Sequence, residues 1–139
     1  MSVGLLLITH GGVGSALLQT ALTVLGHQPM AAKLIACQED CDPDKTLELA
    51  RATVEDLDRG DGVLVLTDLY GSTPGNIAVR LHEPGRVAVV SGANVPMLVR
   101  VFNYYHMSLG ELTDKAAGGG RMGIVIASPP EADQPRRPS

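Results

Sequence analysis

Five short, continuously apolar runs, separated by longer stretches of helical periodicity, constrain this chain more than any other feature. They are residues 3–8 (VGLLLI), 33–37 (KLIAC, the weakest), 63–66 (VLVL), 87–90 (VAVV) and 122–127 (MGIVIA). A strand with one face in water alternates apolar and polar residues. An unbroken run of four to eight apolar residues instead marks a strand covered on both faces, as in a parallel sheet.

The intervening segments read as helices. Ser15 is placed to cap a helix carrying Leu18, Leu22 and Leu25 on one face, ending near Gly26. Asp42 followed by Pro43 is a cap and a first-turn proline, and Leu47, Ala50, Val54 and Leu57 make the apolar face, with Gly60 as the end. Pro74 opens a short third helix running to Leu81. Pro96 opens a fourth that presents Leu98, Val101, Phe102 and Tyr105. Ser108 and Glu111 have capping-box spacing for a fifth, and the triple glycine at 118–120 is read as its stop. The order βαβαβαβααβ predicts an α/β domain, with helices on both faces of a parallel sheet joined by right-handed crossovers.

Composition narrows the function classes. At 139 residues the chain fits one domain, and 45% apolar residues are enough for a core. Aromatics are only 3%, so the core is aliphatic and base-stacking platforms are scarce. A net charge of −4 argues against a nucleic-acid footprint. The apolar start lacks a basic flank and breaks at Thr9-His10-Gly11, too short for a signal core or membrane insertion. Cys37 and Cys41 have no second ligand pair at zinc spacing and are expected as reduced thiols in a cytoplasmic protein. Residues 1–128 are read as the domain. Residues 129–139, rich in proline and charge, are read as a disordered tail.

Open α/β sheets bind ligands beyond the carboxyl ends of their strands, where the strand order reverses. The loops there are Thr9-His10-Gly11-Gly12-Val13-Gly14-Ser15 after the first strand and Thr67-Asp68-Leu69-Tyr70-Gly71-Ser72-Thr73-Pro74 after the third. Ser91-Gly92-Ala93-Asn94-Val95-Pro96 follows the fourth strand, and the acidic Glu39-Asp40-Cys41-Asp42 follows the second. A flavodoxin-like order, 2-1-3-4, makes the first and third strands neighbours and sets His10 beside Asp68. A carboxylate that accepts one ring N–H fixes the tautomer and leaves the other nitrogen as a nucleophile. Gly11, Gly12 and Gly14, with Gly71, Ser72 and Thr73, offer backbone N–H groups, hydroxyls and helix N-termini suited to a phosphoryl group. Two plainer readings stand beside this one: a loop histidine bonded to backbone, and an Asp in an Asx-turn. The glycines form neither a Walker A nor a dinucleotide fingerprint. His27, His82 and His106 fall near helix ends, away from these loops.

Ile8-Thr9-His10-Gly11, the segment from Thr67 to Asn76, and Ser91-Gly92-Ala93-Asn94-Val95-Pro96-Met97-Leu98 together resemble the enzyme IIA domain of the mannose family of the sugar phosphotransferase system, over residues 1 to about 128. The resemblance implies that His10 accepts a phosphoryl group from the phosphocarrier HPr and passes it to a IIB component or another acceptor protein. Asp68 is then its orienting partner, and Gly11, Gly71, Ser72 and Thr73 surround the phosphoryl oxygens. It implies no metal, nucleotide or other cofactor. It also implies a homodimer in which a fifth, antiparallel strand is exchanged, so that 118–128 reads as a glycine hinge and that strand. The family commonly reads Gly-Gly-Ser-Pro where this chain has Gly71-Ser72-Thr73-Pro74. Tyr70, Val95, Pro96 and Met97 are expected to form an apolar docking rim. Two alternatives share the chemistry: a regulatory IIA protein of an incomplete system, and the phosphoryl-donor subunit of a dihydroxyacetone kinase. A receiver-like domain phosphorylated on Asp68 is disfavoured, because no acidic cluster follows the first strand.

Overall fold

A computed structural model describes residues 2–130 of the chain. The elements are β1 (Gly4–His10), α1 (Val13–Leu25), β2 (Ala32–Cys37), α2 (Pro43–Leu57), β3 (Val63–Thr67), α3 (Thr73–Val79), β4 (Val87–Ser91), α4 (Val95–Asn103) and α5 (Leu109–Met122). The four strands form one sheet in the order β2-β1-β3-β4, every pairing parallel.

The uninterrupted apolar runs are explained by two cores, one on each face. Along β1, Leu6 and Ile8 pack with α2 and α3 residues such as Leu47, Val54 and Ile77, while Leu5 and Leu7 pack with Leu98, Val101, Phe102 and Leu112 from α4 and α5. Along β3, Val63 and Val65 join the first core, and Leu64 and Leu66 the second. Each of these eight strand residues is completely buried. Full burial of one such side chain is worth about 1.5–3 kcal/mol, so the two central strands are the stability centre of the domain. The edge strand β2 is half-covered, with Lys33, Leu34 and Ala36 exposed, which explains its weaker sequence signal.

Several local expectations are corrected. Ser15 does not cap α1. The helix starts at Val13, Gly12 occupies the cap position without a side-chain bond, and Thr9 Oγ1 accepts the N–H of Gly14 at 2.8 Å in its place. The third helix ends at Val79, short of Leu81. Tyr105 lies in the turn after α4 and is exposed, so it is not part of that helix's apolar face.

The triple glycine does not stop α5. The helix runs through it to Met122, and Gly119 and Gly120 are where it meets α4. A Cβ on Gly119 would lie 2.5 Å from Cβ of Arg100, and one on Gly120 2.9 Å from Cε of Met97. Low helix propensity is accepted here because only glycine admits so close an approach. Met122, expected in a fifth strand, therefore closes this helix, and Gly119 and Gly120 are packed within it rather than forming a hinge. Residues 124–130 form no strand in the single chain, and Ile124, Val125 and Ile126 are strongly exposed. A strand that pairs only with a second copy has no ladder partner in one chain. Of the expected tail, residues 131–139 lie outside the described residues.

Candidate functional site

The sheet turns its direction of construction between β1 and β3: the chain leaves β1 toward β2 on one side and returns to lay β3 on the other. His10 is the last residue of β1, and Asp68 follows the last residue of β3. Ile8 and Thr67 are register partners, so the next residues of both strands emerge together at the carboxyl edge. The expected juxtaposition of His10 and Asp68 is present.

Its geometry is specific. His10 Nδ1 lies 2.9 Å from Asp68 Oδ2, and the backbone N–H of His10 donates to the same oxygen at 3.1 Å. An ionised carboxylate only accepts, so the ring hydrogen belongs on Nδ1 and Nε2 keeps its lone pair in the neutral ring. The Asp68 side chain is 13% exposed and the His10 side chain 47%, so an inner anchor holds an outer, reachable ring. Asp68 Oδ1 is buried and has no hydrogen-bond partner among the described residues.

A cleft of about 490 Å³ opens beside the ring, lined by His10, Gly11, Cys37, Gln38, Glu39, Cys41, Pro43, Thr73 and Pro74. Of the residues expected around a phosphoryl group, Gly11 and Thr73 line this cleft; Gly71 and Ser72 are not among its lining. Gly71 has φ +82°, a left-handed turn conformation that suits glycine. Ser72 sits at an ordinary φ of −85° and caps α3: its hydroxyl donates to Leu69 O at 2.6 Å and accepts the N–H of Gly75 at 3.2 Å. Its side chain therefore holds the turn. The Thr73 hydroxyl has no hydrogen-bond partner among the described residues. Gly14, whose N–H is taken by Thr9, has no donor left for a ligand.

The β2–α2 loop, expected at the carboxyl edge but given no role there, forms a wall of the cleft, because the order 2-1-3-4 sets the end of β2 beside that of β1. His10 and Cys37 are register partners, and Gly11 N–H donates to Cys37 O at 3.2 Å. The cysteines, expected as free thiols, are bonded to each other. The sharp return of residues 38–41 brings their Cα atoms to 5.6 Å, within disulfide reach. Of the expected apolar rim, Tyr70 (78%) and Pro96 are exposed, Val95 is half-buried and Met97 is buried in the core; Leu69, directly after Asp68 and 59% exposed, stands beside Tyr70. Among the described residues no helix is long and apolar enough to cross a membrane.

Comparison with known proteins agrees with this arrangement. Residues 4–117 match the family described as "PTS system fructose IIA component". The chain is 31% identical over 140 residues to the PTS system mannose-specific EIIAB component of Escherichia coli (strain K12), covering 97% of this chain and 43% of that protein. It thus spans less than half the length of that relative. It is also similar to the transcriptional regulatory protein LevR of Bacillus subtilis (strain 168), 28% identical over 77% of this chain and 12% of that one. Among solved structures, the mannose/sorbose specific IIA subunit from Enterococcus faecalis shares the fold with a TM-score of 0.83 at 24% identity, over 94% of this chain and 98% of that one. The PTS IIA protein associated with the fucose utilization operon of Streptococcus pneumoniae has a TM-score of 0.68 at 28% identity, over 85% of this chain and 93% of that one.

Proposed function

Because this chain belongs to the mannose-family IIA components of the phosphotransferase system, we propose that it carries a phosphoryl group on His10 between a phosphocarrier protein of the HPr type and a IIB acceptor in sugar uptake. The observation that carries this reading is the bond from His10 Nδ1 to Asp68 Oδ2 at 2.9 Å, which leaves Nε2 as the outward nucleophile.

The chemistry needs little more than position. Nε2 attacks the phosphorus of the donor's phosphohistidine in line. The new N–P bond forms as the donor's N–P bond breaks, and the donor imidazole departs with the electron pair. Asp68 stabilises the positive charge that develops on the His10 ring. Thr73 and Gly11 contact the phosphoryl oxygens, while Gly71 and Ser72 hold the turn that presents Thr73. The donor reaches an exposed ring, so the site is open, and Leu69 and Tyr70 supply its apolar docking contact.

Residues 1–128 act as the carrier unit, with 129–139 as a tail, in the cytoplasm where the donor proteins work. The exposed Ile124, Val125 and Ile126 pair with a second copy as an exchanged strand, giving a homodimer. The edge of β4 is the place for that strand: Val89, Ser91 and Gly92 line a groove there that also includes Ile124.

The test is incubation with phosphoenolpyruvate, enzyme I and HPr. The wild-type chain becomes labelled and His10→Ala does not; labelling of His10→Ala at the wild-type rate contradicts the proposal. Transfer onward to a IIB protein separates sugar uptake from a purely regulatory role.

A further inference from the structure

We propose that Cys37 and Cys41 are a redox modification site that sets the rate of phosphoryl transfer at His10; this rests on the carrier reading of His10. The pair is built into the wall of the His10 cleft. Cys37 ends β2 opposite His10 in the ladder, and its carbonyl holds the N–H of Gly11. Cys41 lies immediately before Asp42, the cap of α2, and its own N–H donates to Gln38 O at 3.0 Å. Both cysteines line the cleft together with His10 and Thr73, and their sulfurs are joined.

The two sulfurs are unequally accessible. Cys37 is 4% exposed, whereas Cys41 is half-buried. A dithiol reductant therefore attacks Cys41 Sγ. A mixed disulfide forms there, and Cys37 Sγ leaves with the bonding electron pair and takes up a proton. The reductant's second thiolate then attacks its own sulfur in the mixed disulfide and expels Cys41 as a thiol. Two electrons and two protons have moved from the dithiol to the cysteine pair, and the reductant ends as a disulfide. A disulfide-exchanging oxidant such as oxidised glutathione reverses the sequence.

Opening the bond changes the site because the two thiols cannot remain at bonding distance. Cys37 is held by the β1–β2 ladder and by burial, so Cys41 and its loop take up the displacement. That loop carries Glu39, Asp40 and Asp42. Of these, Glu39 lines the cleft, while Asp42 is held as the cap of α2 by the N–H groups of Asp44 and Lys45, so the closed bond pins Glu39 at the cleft wall. Released with the loop, Glu39 is free to swing into the path of the phosphoryl anion, and like-charge repulsion opposes the approach. The oxidised form is the faster acceptor.

The full chain is prepared closed with oxidised glutathione or opened with dithiothreitol, each state verified by thiol alkylation and mass. Each is then labelled with phosphoenolpyruvate, enzyme I and HPr after the redox reagent is removed. The closed form is expected to label about tenfold faster, the scale of one like charge brought near the reacting group at a solvent-exposed site. Cys41→Ser is expected to label at the open-form rate after either treatment. Equal rates for the two wild-type states, in a chain that does label, overturn the inference. So does a wild-type chain that keeps free thiols after oxidation. Labelling in neither state contradicts the carrier reading itself, and this inference falls with it.

Discussion

A single oxygen of Asp68 serves both ends of His10: Oδ2 accepts the backbone N–H at 3.1 Å and faces ring Nδ1 at 2.9 Å. The strand end and the ring are therefore fixed by one acceptor, and the ring cannot turn without giving up a charge-assisted bond. Replacing Asp68 with Asn keeps the shape but removes the charge that favours a positive ring. Asp68→Asn is expected to slow labelling of His10 by about 10²-fold, in the range of lost transition-state electrostatics, with thermal unfolding close to wild type. Full-rate transfer in that variant would reduce Asp68 to a turn residue.

The adjacent hydroxyls are expected to separate. Ser72 is spent on the cap of α3, so Ser72→Ala should lower stability by about 1 kcal/mol, measured by urea denaturation, and leave the transfer rate within about twofold. Thr73 lines the cleft with His10, and Thr73→Val should do the reverse: stability near wild type and transfer slower by about tenfold. A slow Ser72→Ala with a normal Thr73→Val would exchange their roles.

The α5 glycines offer a paired test of packing. Gly119→Ala drives a Cβ into Arg100 Cβ and is expected to cost about 1–3 kcal/mol. Gly118, one position earlier, has nothing within 4 Å of the site of a Cβ. Gly118→Ala should therefore stabilise the helix by about 0.5–1 kcal/mol. Thermal unfolding of both variants reads opposite signs if the α4–α5 contact is as described. Two shifts of the same sign would mean that the triple glycine works through propensity alone.

Far from the cleft, Asp58 closes α2 and sets the turn into β3. Its Oδ1 accepts the N–H groups of Gly60 and Gly62, and its Oδ2 accepts Arg86 Nε–H at 2.8 Å. The Gly60 bond first, and the Arg86 bond second, hold its pKa below the ordinary carboxylate value. Arg86 is itself held more firmly protonated by Glu83, Glu55 and Asp58. A depressed folded pKa contributes stability above the unfolded value near 3.8 and loses it as pH falls through the folded value. Asp58→Asn sets an amide N–H against Arg86. It should cost about 1 kcal/mol at neutral pH, and the difference should shrink below about pH 4. A difference that stays constant down to pH 2 would contradict the ionic origin.

Much of this was legible because burial on both faces writes itself into sequence. Leu5 to Ile8 and Val63 to Leu66 admit no polar residue at any position, and once the order 2-1-3-4 is assumed, His10 and Asp68 must meet. The misses have a common form: a local signal overruled by a contact from outside the element that carries it, or by how a loop turns. Glycines 118–120 have poor helix propensity, but nothing in their own segment reveals Arg100 pressing on Gly119 and Met97 on Gly120. Ser15 has the chemistry of a cap, yet Thr9 on the preceding strand reaches Gly14 first. The cysteine bond depends on how residues 38–41 turn, which spacing alone does not determine. The loop after β2 was legible at the carboxyl edge, but not as a wall of the cleft, because that depends on how residues 38–41 turn back beside His10.

The account depends most on which atom receives the phosphate. Phosphorus-31 NMR of the chain labelled through phosphoenolpyruvate, enzyme I and HPr, with the modified peptide mapped by mass spectrometry, reads it directly. The hydrogen bond to Asp68 occupies Nδ1, so the prediction is a single acid-labile, base-stable phosphate on Nε2 of His10. A phosphate on Nδ1 of His10, or on any other residue, would contradict the central claim.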